Sequence, residues 1–149
     1  MFKNVLSAGV LSAAVLMPTA QADEDEHPSA MYREAYFHML GLHFQPIRMM
    51  VQGQIPWDAE RAAVLGRDLG AVSGMDILSH FSEASKTEGT KDEIWEDMDD
   101  FKEKMKAMQA EAMTMAEVTQ SGDRGAVGEQ LGALGKSCKS CHDVYREEE

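Results

Sequence analysis

Cys138-Lys139-Ser140-Cys141-His142 is the one segment of this 149-residue chain whose residue types and spacing carry evident chemistry. C-x-x-C-H is the attachment signature of a c-type haem. On a helix, positions i and i+3 lie on one face about 4.5 Å apart along the axis. Two thiols so placed can form thioethers with the vinyl groups on one side of a porphyrin. The next residue can then bring its imidazole beneath the iron, which it ligates well in both oxidation states. Cys138 and Cys141 are therefore expected to hold one covalent haem c, with His142 as axial iron ligand. The other uses of C-x-x-C fit less well. A thioredoxin-like pair needs a βαβ setting, a disulfide across three residues would close a tiny loop, and a zinc site would have to recruit two further histidines. From Asp143 to Glu149 there is no Met or His, so any sixth iron ligand has to come from an upstream segment.

The elements that position this motif read as helices. After the N-terminal segment, four stretches show helical periodicity and none reads as a strand. The first runs from about Ser29, a candidate N-cap, to Gln52, with a stripe of Phe37, Leu40, Gly41, Phe44, Ile47 and Val51. Pro46 is expected to kink it or mark a boundary. The second opens at Asp58 and runs to about Ser79, with Ala62, Leu65, Leu69 and Val72 inward. After a polar loop from Phe81 to Thr90, the third spans about Lys91 to Thr119. Its seam of Met98, Phe101, Met105, Met108, Ala112 and Met115 alternates steps of three and four. The fourth follows the Ser121-Gly122-Asp123 turn, with Val127, Leu131, Leu134, Cys138, Cys141 and Tyr145 on one stripe. The expected fold is all-α, an antiparallel up-down-up-down four-helix bundle. The cysteines continue the apolar stripe of the last helix, which places the haem in the bundle interior.

The N-terminus has the anatomy of a secretory signal. Lys3 precedes an apolar run from Val5 to Met17, and Ala20-Gln21-Ala22 fits a small-x-small cleavage site. The expectation is a signal peptide over 1–22, a domain over 23–149 and a periplasmic protein. The chain carries a formal charge of −12, which loss of Lys3 makes one unit more negative. That argues against nucleic acid and anionic membranes as partners and favours a positively charged redox partner. Of the twelve methionines, Met98, Met105, Met108 and Met115 fall on the third seam, where Met is core filler. His38 and His43 are ligand candidates only on paper.

The chain resembles the class II cytochromes c, and within them the cytochromes c prime, over the whole domain. The resemblance rests on the segment Cys138 to Arg146 (CKSCHDVYR), on Tyr32-Arg33-Glu34-Ala35, on Pro56-Trp57-Asp58-Ala59 and on Ile94-Trp95. Glu34 departs from the Gln more common there. The resemblance implies a five-coordinate iron with an open distal side that binds diatomic gases such as nitric oxide and carbon monoxide. It puts Phe37 at the distal position, where a low-spin subset acting in electron transfer has a Met ligand. It implies Arg33 against a haem propionate with Glu34 nearby, Trp95 against the haem edge, Arg146 beside the proximal imidazole, and Thr87 to Thr90 near the propionates. It also suggests a homodimer through the first two helices, where Gly66 and Gly70 would allow close approach. With no polar distal acid–base pair evident, an enzyme is not expected.

Overall fold

The computed structural model describes residues 27–147; the expected signal peptide lies outside them. Four long helices form an antiparallel bundle. Helix α1 spans Pro28–Val51, α2 Ala59–Ser73, α4 Met98–Val118 and α5 Arg124–Tyr145; a single turn, α3, spans Glu93–Glu96. The main contacts run around a ring in which α1 packs on α2 and α5, and α4 packs on α2 and α5. Among the described residues the only β pairing is an isolated antiparallel bridge between Thr90 and Arg146.

The helix starts follow side-chain chemistry. Asp58 caps α2 by accepting from the Arg61 N–H at 2.9 Å. Asp123 caps α5 by accepting from Gly125 and Ala126. Helix α1 begins one residue earlier than expected, because Pro28 occupies its first turn and His27 caps it through Nδ1, which accepts from the Ser29 N–H. A proline there has no N–H to leave unsatisfied. At Pro46 the helix continues without a boundary.

Two expected helices are shorter than their patterns suggested. Helix α2 stops at Ser73, capped by Gly74, and the chain continues into a 3₁₀ turn at Leu78–His80. The expected third helix is split at Asp97, whose backbone (φ −132°, ψ 66°) leaves the helical region. Its carboxylate accepts from the Asp100 N–H at 3.1 Å, so Asp97 is the N-cap of α4.

The core matches the expected seams of three helices. Ala62, Leu69 and Val72 of α2, Phe101, Met105, Met108, Ala112 and Met115 of α4, and Val127, Leu134, Cys141 and Tyr145 of α5 are all buried. Helix α1 behaves differently. Its buried residues are Ala30, Arg33, Tyr36, Ile47 and Met50, whereas Phe37, Leu40, Gly41 and Phe44 face a cavity.

Gly66 and Gly70 are also buried, which corrects their expected place in a dimer interface. A Cβ on Gly66 would lie 2.1 Å from Thr119 Oγ1, and one on Gly70 would lie 2.8 Å from the Ala116 Cβ. Both glycines let α2 approach α4 within one chain.

Candidate functional site

The cavity between the helices has a volume of about 720 Å³, within the range of small-molecule and cofactor pockets. Helix α5 supplies Cys138, Cys141, His142 and Tyr145 to its wall. Facing them, α1 supplies Arg33, Glu34, Phe37 and His38 along with Leu40 and Phe44, and α4 supplies Phe101, Met105 and Met108. Leu69, Ala112 and Leu134 close the interior end, and Thr87, Gly89, Thr90 and Arg146 edge the other.

Both cysteines are free thiols, Cys138 half-buried and Cys141 buried. Burial among apolar side chains pushes both up, Cys141 to about 11 despite the opposing charge of Lys104. They are protonated at neutral pH, the form of inert, buried cysteines. His142 is shifted the other way. Partial burial, and then the positive charge of Arg146, hold its imidazole below the ordinary value. It therefore offers a neutral nitrogen, the form that ligates iron. Two protonated thiols one turn apart, a neutral imidazole beside them and a mainly apolar wall fit a covalently attached porphyrin.

The remaining expected residues fall as follows. Glu34 is exposed at the cavity edge. Phe37 lines the cavity, 37% exposed, with its ring edge-on to Tyr36 at 5.1 Å. Arg33 is buried. Its guanidinium donates to the His80 carbonyl, the Ser85 hydroxyl and the Ser85 carbonyl, and lies over the Phe81 ring at 4.9 Å. Much of its hydrogen-bonding capacity thus fastens the turn from His80 to Ser85 onto α1. Arg146 lines the cavity and is bridged to Thr90.

Trp95 does not line the cavity. Adjacent helical residues point about 100° apart, and the wall position belongs to Ile94, 2% exposed. The Trp95 ring instead lies under Lys86, whose Nζ is 4.7 Å from its centroid.

Two features escaped the sequence reading. His38, one turn after the expected Glu34 on α1, also reaches the cavity wall, which sets a polar pair where none was expected. An aromatic series also runs along one side. Phe81 meets Phe101 at 4.6 Å, Phe101 meets Tyr145 at 5.2 Å, and the Tyr145 hydroxyl donates to Asp100. The i, i+4 spacing of Glu34 and His38 was visible in the sequence; the Tyr145–Asp100 contact spans 45 residues and left no local signal.

Residues 29–146 match the family model described as cytochrome c prime. The chain belongs to the cytochrome c prime family. Its cofactor is accordingly a covalent haem c. The cytochrome c prime of Halomonas halodenitrificans is 32% identical, over 78% of this chain and 94% of its own. That of Cereibacter sphaeroides is 30% identical over 97% of both chains. Among solved structures, cytochrome c prime from Rhodobacter sphaeroides superposes with a TM-score of 0.75 at 25% identity, covering 81% of this chain and 96% of that one. A nitric oxide complex of a point variant from Alcaligenes xylosoxidans gives 0.74 at 28% identity, covering 80% and 94%.

Proposed function

We propose that this chain is a periplasmic monohaem cytochrome whose five-coordinate iron binds nitric oxide and related diatomic gases. The haem is held by Cys138 and Cys141 and ligated by His142. The observation that carries this reading is the α1 wall of the cavity, which Phe37 lines, the residue that the resemblance, aligned on Arg33, gives the distal position. The haem supplies gas affinity and one-electron chemistry when bound. The protein supplies a neutral imidazole on one side and a ring that cannot ligate on the other. An apolar face admits a neutral gas and gives little stabilisation to bound dioxygen or to anions. The nitric oxide complex of the Alcaligenes relative supports the same assignment. Arg33, Glu34 and Arg146 sit where haem propionates and the proximal pocket would meet them. Trp95 is left out of the haem contact.

Optical spectra of the oxidised and reduced protein test the coordination. High-spin bands that shift on adding nitric oxide or carbon monoxide are expected; a low-spin spectrum that ignores both gases overturns the reading. A low-spin result would favour an electron-transfer protein with a Met ligand. Met105 and Met108 line the cavity from α4, so the candidates for that ligand stand there and not in α1.

Attachment and export are tested together. In denaturing acid-acetone the haem stays with the polypeptide, and the intact mass equals residues 23–149 plus one haem. Extraction of free haem removes the covalent assignment, and a mass that retains Met1 to Ala22 removes the signal peptide. No helix of the described residues is long and apolar enough to cross a membrane.

A homodimer through α1 remains part of the proposal, now on different residues. Met31, Met39, Leu42 and Met49 are exposed along α1, an apolar strip of the kind that marks protein contacts. Sedimentation at micromolar concentration should show a dimer that Leu42→Glu dissociates. A parent that sediments only as a monomer excludes it.

A further inference from the structure

The helix that carries the cysteines is tied to α4 by a polar contact at the cavity wall that the proposed function does not use. Tyr145 is 4% exposed and lines the cavity. Its hydroxyl donates to Asp100 Oδ2 at 2.5 Å. The other carboxylate oxygen of Asp100 accepts from Lys104 Nζ at 2.8 Å, an i, i+4 pair whose side chains are 39% and 27% exposed. Both hydrogen bonds hold the Asp100 carboxyl below the usual carboxylate range, Lys104 contributing most. The carboxylate is therefore ionised at neutral pH. Burial and the bond to Asp100 push the Tyr145 phenol well up, so it remains a donor. Phe101 and Met105, the helix neighbours of Asp100 and Lys104, line the cavity together with Tyr145, so the two charges stand directly behind the wall that a bound porphyrin would face.

We propose that the Asp100–Lys104 pair sets the reduction potential of the haem carried by α5, with Tyr145 as the positioning residue that orients Asp100 toward the cavity. The proposal rests on the covalent haem assignment. Ferric haem carries one more positive charge than ferrous. A carboxylate nearby favours the ferric form and an ammonium the ferrous form, and part-buried charges are screened less than exposed ones. Paired one turn apart on α4, they hold each other's influence in check. Removing either one releases the other.

The test is potentiometric titration of the holoprotein and its variants, followed by the optical spectrum. Asp100→Asn still accepts the Tyr145 hydrogen bond and should raise the potential. Lys104→Gln should lower it. Each shift should correspond to roughly three- to tenfold in the equilibrium between the two oxidation states, tenfold being 59 mV for one electron. The double variant should return close to the parent, and Tyr145→Phe should shift the potential in the direction of Asp100→Asn by less. Opposite signs with cancellation separate an electrostatic role from a structural one, because damage to the fold would move all variants alike. Shifts of the same sign, or potentials unchanged in both single variants, overturn the proposal. A parent protein that releases its haem on denaturation would instead remove the covalent assignment beneath it.

Discussion

Gly66→Ala should melt several degrees, up to roughly 8 °C, below the parent protein. On an open helix surface this substitution stabilises by about 1 kcal/mol, since alanine is the better helix former. Here that gain is outweighed. The added Cβ would lie 2.1 Å from Thr119 Oγ1, 2.8 Å from its Cγ2 and 2.9 Å from its Cβ. Rotating the threonine side chain does not relieve the last of these. Thr119 is fully buried at the start of the 3₁₀ turn Thr119–Ser121, and its hydroxyl donates to the Ala116 carbonyl. Relief therefore requires α2 and the end of α4 to separate. Overpacking of this kind costs about 1–3 kcal/mol, sometimes more, and each kcal/mol displaces the midpoint of a domain this size by about 4 °C. Neither helix face concerned lines the haem cavity at this point, so the melt reads packing alone.

Gly132→Ala supplies the contrast. Gly132 is exposed in the middle of α5, and a Cβ there would meet nothing within 4 Å. The expected result is a rise in stability of about 0.5–1 kcal/mol. If circular dichroism melts place Gly66→Ala at or above the parent, the close approach of α2 to α4 is not as tight as described.

The two glycines also mark a boundary of sequence reading. Their i, i+4 spacing announces that something comes close to one face of α2, but not whether that neighbour is α4 or a second copy of the chain. The break at Asp97 is a different case. Ile94, Met98, Phe101, Met105, Met108, Ala112 and Met115 follow one another in alternating steps of four and three, so the apolar pattern runs straight through the interruption. Only the capping signal, an Asp followed by an acid-rich first turn, betrays a new start, and in a segment this acidic it is easily lost. The motif helix was read closely, from its Asp123 cap to Tyr145, because cap and apolar stripe agreed there. On α1 the stripe of Phe37, Leu40, Gly41 and Phe44 was apolar for a reason other than packing against protein: those residues line the cavity. Periodicity reports an apolar environment, and a cofactor pocket supplies one as readily as a neighbouring helix does. The resemblance put Trp95 at the haem edge, whereas the cavity wall carries its neighbour Ile94.

Phe37→Ala should leave the iron high-spin and speed the binding of carbon monoxide and nitric oxide, whereas Phe37→Met should move the spectrum toward low-spin. Asp143 to Glu149 contain no Met or His, and the register from Arg33 that the resemblance implies would put residue 37 over the iron. The ring lines the cavity and packs edge-on against Tyr36. It therefore obstructs an incoming ligand without being able to bond to the metal. Truncation removes that obstruction, and for a barrier that is purely steric, losing about 1.4 kcal/mol corresponds to a tenfold faster rate. The thioether of Phe37→Met would stand where the low-spin relatives implied by the family resemblance have theirs. Stability is read alongside, since a fully packed Phe→Ala change costs about 3–5 kcal/mol; circular dichroism of each holo-variant should show a folded bundle. Stopped-flow mixing with carbon monoxide gives the rate, and the ferric and ferrous spectra give the coordination. Gas-binding rates unchanged in Phe37→Ala would show that another residue guards the iron. The α1 side chain next to consider is then Leu40, one turn further along the same wall, and the register from Arg33 would have to shift by that turn.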